Sequence, residues 1–313
     1  MLEKLPKDLT KKVGSLLQLA MICSLCFYVF SKLSTMGWET IFNNLPTHPL
    51  FYCLFAINFI LLPLSESFIY RRHWLTLFSA PQRFLPALMR KQALNDVVLG
   101  YSGEAYLYFW ARNNVKQDHK LSASLIKDNT LLSGASSSTL ALFFLIGFWL
   151  MGDFDDLLNT LPEGVEYVGG VMIFSIMIVI LLLLFGRRLL KIKAPEISRI
   201  TSIHIGRLIL FESLQVLQWS LILPEVPLAV WVGFVTTKMM ITRIPFTPNK
   251  ELILLGLAVS LADFVPSPEA AVAGIFLANT LLNQLSNTGV FILMYFSGFR
   301  SQKELEATSP KDS

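Results

Sequence analysis

Charge is scarce in this chain: Asp, Glu, Lys and Arg make up 15% of its 313 residues, whereas 53% are hydrophobic. An ordinary soluble domain is about a quarter charged. No polar stretch is long enough for a separate soluble domain, the longest being the first twelve residues and the tail after Arg300. Cysteine is almost missing as well. Cys23, Cys26 and Cys53 lie in apolar segments, and the lone Cys-x-x-Cys has neither a second pair nor nearby histidines. That pattern excludes a disulfide framework and a thiolate metal site, and the three read as small buried hydrophobes. Absent too are a nucleophile elbow, a phosphate-binding glycine loop, HExxH and any His/Cys metal spacing. Nothing therefore points to an enzyme, a cofactor, a metal or a nucleic-acid partner.

What the chain does have is long apolar runs. The plainest, "VGGVMIFSIMIVILLLLFG" from 168 to 186, carries no ionisable group. A helix needs about 20 apolar residues to cross a hydrocarbon core, and a β-barrel would instead show alternating segments of about 10 residues. The expected fold class is an all-α polytopic membrane protein, with spans near 13–33, 50–70, 129–151, 167–186, 200–223 and 270–298. The basic N-terminus is not followed closely by a small-residue cleavage site, so the first span reads as uncleaved.

Lys and Arg collect in cytoplasmic loops. Lys4, Lys7, Lys11 and Lys12 place the N-terminus inside, and the cation-free loop 34–49 lies outside. Arg71, Arg72, Arg83, Arg90 and Lys91 come back inside; the loop 152–166, with its carboxylates and no cation, lies outside. Arg187 to Arg199 and then Arg300, Lys303 and Lys311 are inside, so both termini are cytoplasmic. Of the 26 basic residues only Lys32, Arg207, Lys238, Arg243 and Lys250 stand apart.

The stretch 91–114, "KQALNDVVLGYSGEAYLYFWARNN", is flanked by cations at both ends. A single crossing here would invert every later loop. It reads as a re-entrant hairpin, 85–99 and 104–115, turning at Gly100-Tyr101-Ser102-Gly103. Such backbone persists at membrane depth only when protein or a wet cavity shelters it. A second hairpin at 226–262 is interrupted by Pro245 and Pro248, with cation-free flanks that place its mouth outside. Span, hairpin and span then occur twice, over 50–151 and 200–298, with opposite entry. That is the layout of an inverted repeat, in which broken helices meet near the midplane and form a transport site. The whole of 1–313 is read as one integral membrane domain, with 301–313 a polar cytoplasmic tail.

Intramembrane charges are costly and need a partner or a purpose. Glu66, one turn from the inner boundary, is assigned to Arg71 or Arg72. Glu104 opens the outgoing helix of the first hairpin, where a carboxylate suits the helix dipole. Lys250 and Glu251 hold the same place in the second. Lys238 and Arg243 lie on its ingoing arm, either snorkelling outward or attracting an anion. Arg207 and Glu212 share the fifth span, with His204 read as interfacial. Asn279, Asn283 and Asn287 recur every fourth residue with Gln284 beside them, a stripe for interhelical hydrogen bonds or a polar path. The run 133–139, rich in Ser and Gly, reads as close helix packing, and Trp38, Trp74, Trp110 and Trp231 as interfacial anchors.

Three segments resemble the transmembrane region of lysylphosphatidylglycerol synthase, a flippase-like integral membrane family with stand-alone bacterial members. They are "ESFIYRRHWLTLF" (66–78), "LNDVVLGYSGEAYLYFWARNN" (94–114) with Asn95, Gly103 and Glu104, and "RIPFTPNKELILLG" (243–256) with Pro245 and Glu251. The chain departs from that pattern in two places. Tyr106 and Leu107 stand where the family has a basic residue after Gly-Glu, and Phe246, Thr247 and Pro248 replace glycines. The aminoacyl-transfer domain is absent, which excludes lipid aminoacylation by this chain. The resemblance implies a lipid translocase of the bacterial inner membrane, acting on membrane lipids and open to homo-oligomer formation. Lys238 and Arg243 would attract phosphate, Glu104 and Glu251 would balance it or take a cationic substituent, and Arg207, Glu212 and Asn283 would line the path. A carrier for a small solute, or a non-catalytic partner of a lipid-modifying enzyme, are the alternatives.

Overall fold

A computed structural model of the chain describes residues 23–24, 26–31, 33–74, 77, 84–97, 100–151, 176–177, 180, 189–241, 250–260, 262, 265 and 267–308. Among these the elements are all helical. They are α1 (Trp38–Asn43), α2 (Pro49–Trp74), α3 (Phe84–Val97), α4 (Ser102–Asn114), α5 (His119–Met151), α6 (Ala194–Ser220), α7 (Leu228–Ile241), α8 (Lys250–Ser260) and α9 (Glu269–Thr308). Two of them, α2 and α6, are long and apolar enough to cross a membrane. The expected spans 50–70 and 200–223 fall on these two, while 129–151 and 270–298 fall on α5 and α9. The spans 13–33 and 167–186 lie mostly outside the described residues. Helix α9 runs on into the polar tail read from residue 301, ending at Thr308.

The chain divides into two compact units. Unit 1 comprises Met1–Phe55, Ser138–Met177 and Glu212–Thr280; unit 2 comprises Ala56–Ser137, Ile178–Phe211 and Leu281–Ser313. Each contains one pair of packed short helices, α3 with α4 in unit 2 and α7 with α8 in unit 1. These pairs coincide with the two hairpins read from the sequence.

In unit 2 the hairpin is held to α2 by a consequence of proline chemistry. Pro63 sits inside α2 and has no N–H, so the carbonyl of Phe59, four residues earlier, loses its helical donor. Gln92 of α3 supplies the missing bond, its Nε2 donating to Phe59 O at 3.2 Å. Beside it lies an aromatic core in which Tyr70 stacks on Trp74 at 4.8 Å and Phe84 meets both rings edge-on. Leu88, Leu107 and Ala111 close that core. Trp74 is fully buried, which corrects its reading as an interfacial anchor; Trp231 in unit 1 is equally buried. Near the end of α2, Arg72 pairs with Glu196 of α6 at 3.0 Å rather than with Glu66.

The turn between α3 and α4 contains Tyr101 at φ 71°, the left-handed region, in a residue with a Cβ. That conformation costs a side-chain-bearing residue about 1–2 kcal/mol. Tyr101 is 73% exposed and loses little packing on truncation. Tyr101→Gly is therefore expected to raise unfolding stability by about 0.5–1 kcal/mol, part of the relief being offset by the added freedom of the unfolded chain. Thermal unfolding of purified protein measures it.

Unit 1 is built around Trp219, Trp231, Phe234 and Phe276, with Trp219 and Phe276 centroids 4.8 Å apart. In the same unit α9 approaches the 44–45 backbone closely. A Cβ on Gly274 would stand 2.6 Å from Asn44 O. The three cysteines, expected to be buried, are free and exposed.

Candidate functional site

Unit 2 buries a lysine. Lys91, in the middle of α3, is 4% exposed, and its Nζ lies 2.5 Å from Glu66 Oε1 on α2 and 3.3 Å from Glu104 Oε1 on α4. Glu66 was assigned to Arg71 or Arg72 from sequence proximity. It turns inward instead, because its position on α2 faces the hairpin while Arg71 and Arg72 are exposed.

Asn95 organises the hairpin tip. Its Oδ1 accepts the Gly103 N–H at 2.7 Å, one of the donors that the first turn of α4 leaves without an intrahelical partner. Its Nδ2 donates to Glu104 Oε2 at 3.0 Å. Glu104 is thus gripped through both oxygens, by Lys91 and by Asn95. Gly103 is required here: a Cβ would lie 2.1 Å from Lys91 O and 2.8 Å from Asn95 Oδ1.

The network continues away from the tip. Asn129 of α5 donates from Nδ2 to Glu66 Oε1 at 3.2 Å and to Tyr70 Oη at 3.1 Å. A carboxylate only accepts, so the amide nitrogen must face Glu66 and the amide oxygen must face His204, whose Nε2 is 3.0 Å away. His204 then carries its hydrogen on Nε2. It is fully buried, which corrects its reading as an interfacial side chain. Arg207 follows it one turn later on α6, half-buried. Elsewhere in the unit, Asn287 donates across to Asp96 Oδ2 of α3 at 2.8 Å and, within α9, to Asn283 Oδ1 at 2.7 Å.

Unit 1 holds a second buried pair. Lys238 of α7 is 8% exposed and lies 2.6 Å from Glu212 Oε2 of α6. This corrects the snorkelling alternative, since the ammonium is directed into protein and already neutralised. Gln218 Nε2 donates to Asn279 Oδ1 at 3.2 Å and to Phe51 O at 3.0 Å. Glu251 opens α8, half-buried, with Thr280 Oγ1 on its backbone oxygen at 3.4 Å. Arg243 lies outside the described residues.

The two sets share a register. Lys91 and Glu104 are separated as Lys238 and Glu251 are. Phe84 precedes Lys91, and Trp231 precedes Lys238, by the same seven residues, and all four are buried. Leu107 and Ala111 match Leu254 and Ala258, again buried. Glu66 and Glu212 sit eight residues before the ends of α2 and α6. Asn129-Thr130-Leu131-Leu132 on α5 recurs as Asn279-Thr280-Leu281-Leu282 on α9.

Of the candidates taken from the sequence, Glu104 belongs to the Lys91 network, Glu212 and Lys238 pair with each other, and Asn283 bonds Asn287. Lys91, Asn129 and Tyr70 were missed as site residues. Read from sequence, Lys91 falls among the loop cations; the recurring Lys-to-Glu spacing and the repeated Asn-Thr-Leu-Leu are the signals that mark it. No family model, no curated protein and no solved structure matches the chain.

Proposed function

We propose that this protein is a lipid translocase of the flippase-like kind that its sequence resembles, moving a polar-headed phospho- or glycolipid across the bacterial inner membrane. The observation that carries the proposal is the buried lysine–carboxylate pair formed by each hairpin with a long apolar helix. Ionised groups among apolar helices are expensive and are kept where they serve a pathway. In the proposed topology six spans carry two re-entrant hairpins in an inverted repeat, and the shared register of the two sets supports a duplication. Large apolar side chains stand exposed on the helices, among them Phe68, Phe143 and Leu285, as a lipid-facing surface requires.

Both lysines are neutralised by carboxylates, so a head group meets paired charges and carboxamides rather than a bare cation. Hydroxyl-bearing or zwitterionic head groups suit such a lining. Glu104 is the reachable end of its network: its side chain is 18% exposed, against 5% for Glu66 and 6% for Lys91. Glu251 holds the matching place in the other set; the remaining sequence candidates are Arg207 and Asn283 in unit 2 and Glu212 and Lys238 in unit 1, with Arg243 outside the described residues.

Glu104→Gln and Glu251→Gln keep shape and remove charge. In vesicles reconstituted with each variant, transfer of a fluorescent short-chain glycolipid or phospholipid between leaflets is expected to fall at least tenfold at temperatures where thermal unfolding shows the variant still folded. Wild-type transfer in both variants would remove the assigned site. Uptake of a water-soluble solute without lipid transfer would replace the proposal by a solute carrier.

A further inference from the structure

Glu104, whose two carboxylate oxygens are held by Lys91 and Asn95, is also one of the residues lining a groove of about 420 Å³ between α4 and α5, within unit 2. Ligand pockets commonly span about 300–1,000 Å³. Tyr101 at the N-cap of α4, with Ala105 and Tyr108 of that helix, forms one wall, and Ala123 and Leu131 of α5 contribute to the other. These positions recur every three or four residues along α4, so the wall is a continuous apolar stripe. The only charged groups bordering it, among the described residues, are Glu104 and Lys127. Lys127 keeps 46% of its side chain exposed while bonding Asp128 Oδ1 at 3.0 Å and the Leu189 carbonyl.

Under the shared register Leu131 matches Leu281, which is the more exposed of the two at 46%, but two other positions of the groove are the more open in unit 2: Tyr108 is half-buried and Ala123 exposed, against 2% and 0% for Leu255 and Ala273. Small alanines on both walls, Ala105 and Ala123, leave it open. Phe109 and Leu121, outside its lining, are exposed at 58% and 55% on the same helices.

We infer that this groove holds one acyl chain of a bilayer lipid, with the head group of that lipid brought against Glu104 and its phosphate against Lys127. The inference rests on the translocase reading and adds where the lipid enters. The lining favours this occupant: an apolar trough bordered by Glu104 and by the half-exposed Lys127–Asp128 pair fits a molecule with an apolar tail and a polar head. A peptide helix would leave its backbone termini and polar face without partners along such walls.

The test uses full-length protein in vesicles of phosphatidylethanolamine and phosphatidylglycerol containing a phosphatidylglycerol with a photoactivatable group in one acyl chain. Cross-links are expected to concentrate on residues 101–108 and 123–131. Ala105→Trp combined with Ala123→Trp places bulk at two exposed positions and is expected to lower those cross-links at least fivefold. Phe109→Trp with Leu121→Trp, on exposed faces of the same helices, is expected to leave them unchanged. Wild-type labelling spread evenly over exposed residues such as Phe143 and Leu285, or labelling that the filled groove does not reduce, overturns the inference. Lipid transfer measured on the same vesicles separates the two proposals. Concentrated labelling without transfer sinks the translocase and keeps the groove; transfer without concentrated labelling does the reverse.

Discussion

Lys91→Met is expected to lower the stability of the protein by about 3–5 kcal/mol, because it strands two carboxylates in the interior of unit 2. Glu66, whose side chain is 5% exposed, would keep only the Asn129 amide near its charge, and Glu104 only the Asn95 amide. The side chain of methionine matches the lysine stem in length, so the loss is electrostatic rather than a cavity. Adding Glu66→Gln to Lys91→Met removes the more buried of the two stranded charges and is expected to restore at least half of the loss. Unfolding of wild type, both single variants and the double variant forms a cycle that isolates the coupling. A Lys91→Met variant as stable as wild type would mean that the pair is solvated, and the buried network would then lose its meaning. The same change at Lys238 is expected to strand Glu212, and the two lysines should respond alike if the repeats are equivalent.

The second large effect concerns a hydrogen atom. Gly103→Ala would put a methyl group 2.1 Å from the Lys91 carbonyl oxygen and 2.8 Å from Asn95 Oδ1. The first of these is backbone, so relief requires α4 to move off α3 rather than a side chain to swing. Overpacking typically costs about 1–3 kcal/mol, and a backbone collision belongs at the upper end. Separation of the helices also breaks the Asn95 bonds to Gly103 and Glu104. Gly134→Ala is the matched control. It lies inside α5 with nothing within 4 Å of the added Cβ, and helix propensity makes the change favourable by up to about 1 kcal/mol. If both substitutions behaved alike, the close approach of the hairpin arms would be wrong.

Much of the local structure was legible beforehand. Both hairpins were placed within a few residues of α3, α4, α7 and α8, because glycine and proline interrupt apolar runs too short to cross a bilayer. Glu104 was recognised as the residue opening an outgoing helix. The partners of the charges were not legible. Glu66 was given to neighbours in sequence, and His204 and Trp74 were placed at an interface. Each error has the same origin: position along a helix fixes depth, but not which face a neighbouring element covers.

Composition and spacing by themselves determined that this chain forms apolar helices, where those helices break, and that few charges lie within them. These follow from local sterics and from transfer free energy, which each segment carries on its own. Only the tertiary structure decided that Lys91 binds Glu66 and Glu104, that Lys238 binds Glu212, and that Asn129 joins Glu66 to His204. Pairing across a long stretch of chain depends on which helix faces meet, and that is a property of packing rather than of any one segment.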